Sequence, residues 1–219
     1  MSSWPRWSLD DEPLALARYV LPDQVARHVP LPGPSGESGL ARVQAVYEAM
    51  ARLKIGYAYD APTDEAGRQV IRPPDQVLWA PRHATCLDLA LILAGGCLTA
   101  GLHPAVVILA RPDRPGSLHA LLLVRLDHDI EPAPGPGAVW PTLPVGLLAA
   151  LQRQVNGLPG KVVAVDPVGV AVSLGFTRTR GLDANFDDAV ASGARYLTGA
   201  DGAAGWDWKV GVDVGASWR

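Results

Sequence analysis

The sequence predicts an α+β fold in which a buried helix packs on an antiparallel sheet, with helices at the periphery. Three observations carry that expectation. The stretch "TCLDLALILAGGCLTAG" (85–101) has apolar residues on every face of a helix, which is the pattern of a helix enclosed by a core. The strand-like runs mostly follow this helix instead of alternating with helices. Of the 219 residues, 48% are hydrophobic and 19% charged, enough for one sizeable core.

Taken in order, residues 1–38 read as a Pro-rich N-terminal extension. "LALARYVLPDQVARHV" gives one or two short helices cut at Pro22, and "PLPGPSGESG" (30–39) has loop composition. Residues 39–219 read as the main domain. It opens with a helix whose apolar positions are Leu40, Val43, Val46, Tyr47, Met50 and Leu53. "APTDEAGRQVIRPPDQV" (61–77) follows as an ordered loop with a turn of helix near Asp75.

The central helix begins at a capping box, Thr85 to Asp88, and should run to about Ala100, with Gly101 just past its end. Then come strands over "PAVVILA" (104–110) and "LHALLLVRL" (118–126), joined by the turn "RPDRPGS". Residues 127–160 form an insertion: a Pro/Gly loop and the helix "VGLLAALQRQV". "KVVAVDPVGVAVS" (161–173) reads as a strand, a Pro break and a second strand. "FDDAVASGARYL" (186–197) is an amphipathic helix with two acids in its first turn, which suits the helix dipole. "WDWKVGVDVGA" (206–216) alternates like an edge strand, with Trp206 and Trp208 on one face.

Composition excludes several classes of function. The formal charge is −3, and no block of Lys and Arg is present, so the electrostatic footprint of nucleic-acid binding is missing. The start lacks a basic region followed by an apolar one, and no unbroken run of eighteen apolar residues occurs. The expectation is a soluble, cytoplasmic protein that engages neither nucleic acid nor membrane. Two cysteines make no disulfide framework. On one helix Cys86 and Cys97 would lie about 16 Å apart, too far to bridge. No C-x₂-C pair or H-E-x-x-H is present, and His28, His83, His103, His119 and His128 are scattered, so no metal is expected. "GADGAAG" (199–205) is neither a P-loop nor a dinucleotide fingerprint, and no cofactor is expected.

One constellation carries chemistry. A thiol attacks as thiolate, and partial positive charge at a helix N-terminus favours that anion. A histidine partner favours it further and can protonate a leaving group, and a third residue must orient the imidazole. The chain supplies these in the order Cys86, at the helix start; His119, at the start of a strand; and Asp166, closing the strand "VVAVD" before Pro167. Asp127 and Asp129 are alternatives to Asp166, and His83 could tune the thiol. The Cys86 N–H offers one oxyanion donor, and the Gln69 amide or the Trp79 indole offers a second. Taken singly, each residue has a plainer reading: a core cysteine, a strand-edge histidine, an aspartate closing a turn. Cys97, in mid-helix with no activating neighbour, reads as core.

The segments "ATCLDLALILAGGCLTAGLHPAVVIL", "LHALLLV" and "VVAVDP" together resemble the transglutaminase-like branch of the papain-fold cysteine enzymes. The lead-in "GYAYDAPTDEAGRQVIRPPDQVL" is similar to that of a bacterial subgroup found as modules of larger, often defence-related proteins. The resemblance covers residues 54–126 well and 145–214 loosely. It implies a cysteine peptidase with a Cys86–His119–Asp166 triad, a thioester intermediate and a protein or peptide substrate, which could be another domain or subunit of the same system. The same residues would serve transamidation or deamidation of protein glutamine. Two departures, the long interval from His119 to Asp166 and Leu118 where the subgroup commonly has Gly, motivate the alternative of a binding module that keeps the fold without turnover.

Overall fold

A computed structural model describes residues 4–9, 11–31, 38–59, 68–114, 116–126, 139–155, 160–173, 181–199 and 205–215. Asp127, His128 and Asp129, the Pro/Gly loops 32–37 and 127–138, and the Gly-rich 200–204 lie outside the described residues.

In chain order, β1 (Arg6–Trp7) is followed by a 3-10 helix (Pro13–Tyr19), α1 (Pro22–His28) and α2 (Gly39–Ala51). Next come β2 (Ile55–Tyr57), β3 (Gln69–Val70), α3 (Pro74–Leu78) and β4 (His83–Ala84). The central helix is α4 (Cys86–Thr99), followed by β5 (His103–Ala110), β6 (Leu118–Arg125), β7 (Val139–Trp140) and α5 (Val145–Val155). The chain then forms β8 (Val162–Val165), a second 3-10 helix (Pro167–Val170), β9 (Ala171–Val172), α6 (Phe186–Thr198) and β10 (Asp207–Asp213).

The mixed α+β composition follows from these elements. Strands β7, β10, β5, β6 and β8 make a five-stranded sheet in that order, antiparallel throughout. β2 lies between β4 and β9 in a small parallel sheet, and β1 pairs with β3.

Helix α4 is buried along its length, as its all-round apolarity requires, and packs on β5 and β6 from one side. Alternation along β6 turns Ala120, Leu122 and Val124 toward that core. Leu121 and Leu123 point the other way, into a second cluster with Leu147 and Leu151 of α5. The sheet is therefore covered on both faces. This explains why β5 and β6 read as unbroken apolar runs rather than alternating ones.

Three details differ from the sequence reading. Within the segment read as an N-terminal extension, Leu16, Val20 and Val25 are fully buried in the core, and α1 lies against α4. Gly95 makes that approach possible, because a Cβ there would meet Val25 of α1 at 2.9 Å, and Gly96 does the same for α2, where a Cβ would meet Val46 at 2.7 Å. The region 127–160 is likewise structural where it is described, since α5 closes the second face of the sheet. Finally, β10 is not an edge strand; it pairs with β5 along its length and is flanked in part by the two-residue β7. Its two tryptophan neighbours have different partners: Trp208 Nε1 donates to the Trp140 carbonyl, whereas Trp206 stacks near His119.

Candidate active site

The N-terminus of α4 is held more firmly than a capping box alone would hold it. Thr85 Oγ1 accepts from the Asp88 N–H (3.3 Å) and Asp88 Oδ2 accepts from the Thr85 N–H (3.0 Å). The run "RQVIRPP" clamps both members. Gln69 Nε2 donates to Thr85 Oγ1 (3.0 Å), while Arg72 donates to Asp88 through its backbone N–H and through Nη1, each at 2.9 Å. Asp88 is fully buried, and burial raises its pKa against the opposing pull of these bonds and of the Arg72 charge. The next residue after Thr85 is Cys86, half-buried and unpaired with Cys97. The thiol thus sits on a rigid helix tip whose first amide groups have no partner within the helix.

His119 approaches that thiol from β6. Strand β8 ends at Val165, opposite Leu122, and among the described residues no strand pairs with β6 beyond it on that side. At this open edge the imidazole faces Asp166, which sits at the exit of β8, and the Cys86 sulfur is close enough to act on its charge. The His119 Nε2 lies 3.3 Å from Asp166 Oδ1, within ion-pair reach but off the line of a well-directed hydrogen bond. Burial by itself would lower the imidazole pKa; the Asp166 carboxylate and the Cys86 sulfur overcome it and raise the value to about 10.

Asp166 is itself oriented. Its Oδ1 accepts from the Val168 N–H (3.2 Å) and its Oδ2 from Ser192 Oγ on α6 (3.0 Å). Helix α6 comes close enough because Gly193 lies against the backbone of Ala164, where a Cβ would be 2.8 Å from the carbonyl carbon. The rings of Tyr196 and Trp206 cover the imidazole, with centroids 4.7 and 5.6 Å away. An imidazolium beneath two aromatic faces is favoured by their quadrupoles and shielded from water.

The structure thus brings Cys86, His119 and Asp166 together, and it places the two expected oxyanion donors elsewhere. Gln69 is fixed in β3 with its amide committed to Thr85. Trp79 follows α3, is 69% exposed, and lies edge-on to His28 with ring centroids 6.1 Å apart. Tyr57, which the sequence reading did not single out, is also near the thiol. It lies close enough to Cys86 for the sulfur, after burial, to raise the pKa of its hydroxyl. The parallel pairing of β2 with β4 sets Tyr57 beside Ala84, two residues before the thiol. Sequence reading missed it because a three-residue strand in "KIGYAY" leaves almost no periodic signal, and its pairing partner lies 27 positions downstream.

A cavity of about 740 Å³ opens beside the site and is lined by Tyr57, His119, Asp166, Ser192 and Tyr196, among others. The thiol itself is not among the lining groups, although both His119 and Tyr57 are. Among the described residues no cluster of His, Cys, Asp and Glu could hold a metal ion, and no helix is long and apolar enough to cross a membrane. Comparison of the chain with protein-family models, with curated proteins and with solved structures finds no match in any of the three.

Proposed function

We propose that this chain is a cysteine-nucleophile amide-bond enzyme of transglutaminase-like, papain-type fold, acting first as a peptidase in the cytoplasm on a protein or peptide substrate. The observation that supports it most is the single connected line from a capped helix-tip thiol through His119 to Asp166 and Ser192. No structural role requires a half-buried thiol, a buried imidazole and a buried carboxylate in sequence.

In the proposed reaction the Cys86 sulfur attacks the amide carbonyl carbon. The negative charge on the carbonyl oxygen is met by the Cys86 N–H and the Tyr57 hydroxyl. The His119 imidazolium gives its proton to the departing amine, and a thioester remains. His119, now neutral, takes a proton from water as that water attacks the thioester, which returns the thiolate–imidazolium pair. Asp166 holds the ring orientation throughout. An amine in place of water would give transamidation, and a glutamine side-chain amide as substrate would give deamidation.

A second reading, a binding module without turnover, draws on the absence of the thiol from the cavity wall. Iodoacetamide labelling across pH separates the two. The enzyme reading expects modification of Cys86 well ahead of Cys97 at neutral pH, with that advantage lost in His119→Ala. Equal and slow labelling of both thiols would leave the binding module as the better account.

A further inference from the structure

The cavity beside the candidate site runs along one face of α6. Asp188, Ser192 and Arg195 all line it, spaced four and three residues apart, so they stack on a single face of the helix. Asp188 and Arg195 are separated by two turns, about 10 Å along the axis. Ser192 lies between them and touches Asp166, so the catalytic line meets the middle of the groove. The other charged groups on the wall are already neutralised: Asp183 pairs with Lys54 (3.2 Å) and Arg111 with Asp113 (2.6 Å). Among the described residues Asp188 and Arg195 form no ion pair. The groove therefore has a negative end and a positive end without ion-pair partners among the described residues, with Ser192 and its partner Asp166 between them.

Resting on the peptidase reading of the site, we propose that the groove takes an extended peptide segment carrying a positive group at the Asp188 end and a negative group at the Arg195 end. An extended chain advances about 3.3 Å per residue, so the two groups stand about three residues apart. They can be side chains, or the free termini of a tripeptide. The tyrosines Tyr57 and Tyr59 and the edge of Trp206 supply apolar walls for the residues in between.

The test is protection of Cys86 against iodoacetamide, with binding measured in parallel by calorimetry. The probes are the acetylated, amidated peptides Lys-Ala-Ala-Glu, Lys-Ala-Ala-Lys, Glu-Ala-Ala-Glu and Ala-Ala-Ala-Ala, with unblocked Ala-Ala-Ala to represent termini. For the wild type, the mixed-charge peptide is expected to bind about three- to fivefold more tightly than either like-charge peptide, the range of one half-exposed ion pair. Asp188→Lys should move the preference to the doubly acidic peptide and Arg195→Glu to the doubly basic one. The double reversal should restore the mixed-charge preference. Tighter binding of unblocked Ala-Ala-Ala than of its blocked counterpart assigns the charges to termini. Equal binding of all the peptides by the wild type, unchanged in the variants, would overturn the proposal while leaving the peptidase reading intact. Conversely, a charge-dependent ranking by calorimetry with Cys86 no more reactive than Cys97 would uphold the groove and remove the enzyme.

Discussion

Cys86 and Cys97 are the same residue type on the same helix, and their surroundings could hardly differ more. Cys97 lies inside the core three residues from the end of α4, fully buried, and burial alone pushes its pKa up to about 12. Cys86 stands at the other end, half-exposed, within electrostatic reach of both His119 and Tyr57. The comparison teaches that the chemistry here belongs to a place in the fold. A helix interior offers a thiol only hydrocarbon, whereas a helix N-terminus at an open sheet edge offers free amides, a cation and a way out to solvent.

Substitutions can break or sharpen that contrast. The largest expected effect is on hydrolysis in Tyr57→Phe, which removes an oxyanion donor and should cost about 10²–10³ in kcat with little change in the KM of a peptide substrate. His119→Ala should slow alkylation of Cys86 at pH 6–7 by about 10² while leaving Cys97 as slow as before, which mass spectrometry of the two tryptic peptides would show. A smaller effect, on stability, is expected from Arg72→Ala, because it leaves the Asp88 carboxylate buried without its charge partner; about 3–5 kcal/mol should be lost in urea unfolding.

The pH dependence isolates the imidazole. His119 has a raised pKa in the folded protein, so its contribution to stability is complete below about 6.5 and is lost as the pH rises through about 10. Urea midpoints should fall across that window more steeply in the wild type than in His119→Gln. The smallest effect is expected from Cys97→Ala, a loss of about 1 kcal/mol from a well-packed site with the alkylation rate of Cys86 unchanged.

Much of the scaffold was legible because local rules govern it. The Thr85–Asp88 capping box, the all-round apolarity of α4 and the left-handed Gly101 after it appear in the structure where the sequence put them. So do the cores of β5, β6 and α6. The roles of Gln69 and Trp79 were not legible. A side-chain amide beside a catalytic motif reads as a donor for substrate, and nothing in the string says that Thr85 already occupies it. The packing of the N-terminal helices was not legible for a related reason: nothing in the local pattern around Leu16, Val20 and Val25 says that Gly95 leaves room for α1.

By itself the sequence determined which residues would be apolar, where α4 would start, and that a thiol would stand at its first position, since helix capping and periodicity act over a few neighbouring residues. Tertiary structure alone decided that β8 would stop short of His119, that a parallel strand would bring Tyr57 to the sulfur, and that α6 would carry Ser192 to Asp166. Those juxtapositions join residues 26 to 47 positions apart, or more, through strand register and close helix packing. Such long-range geometry is fixed only when the whole core closes.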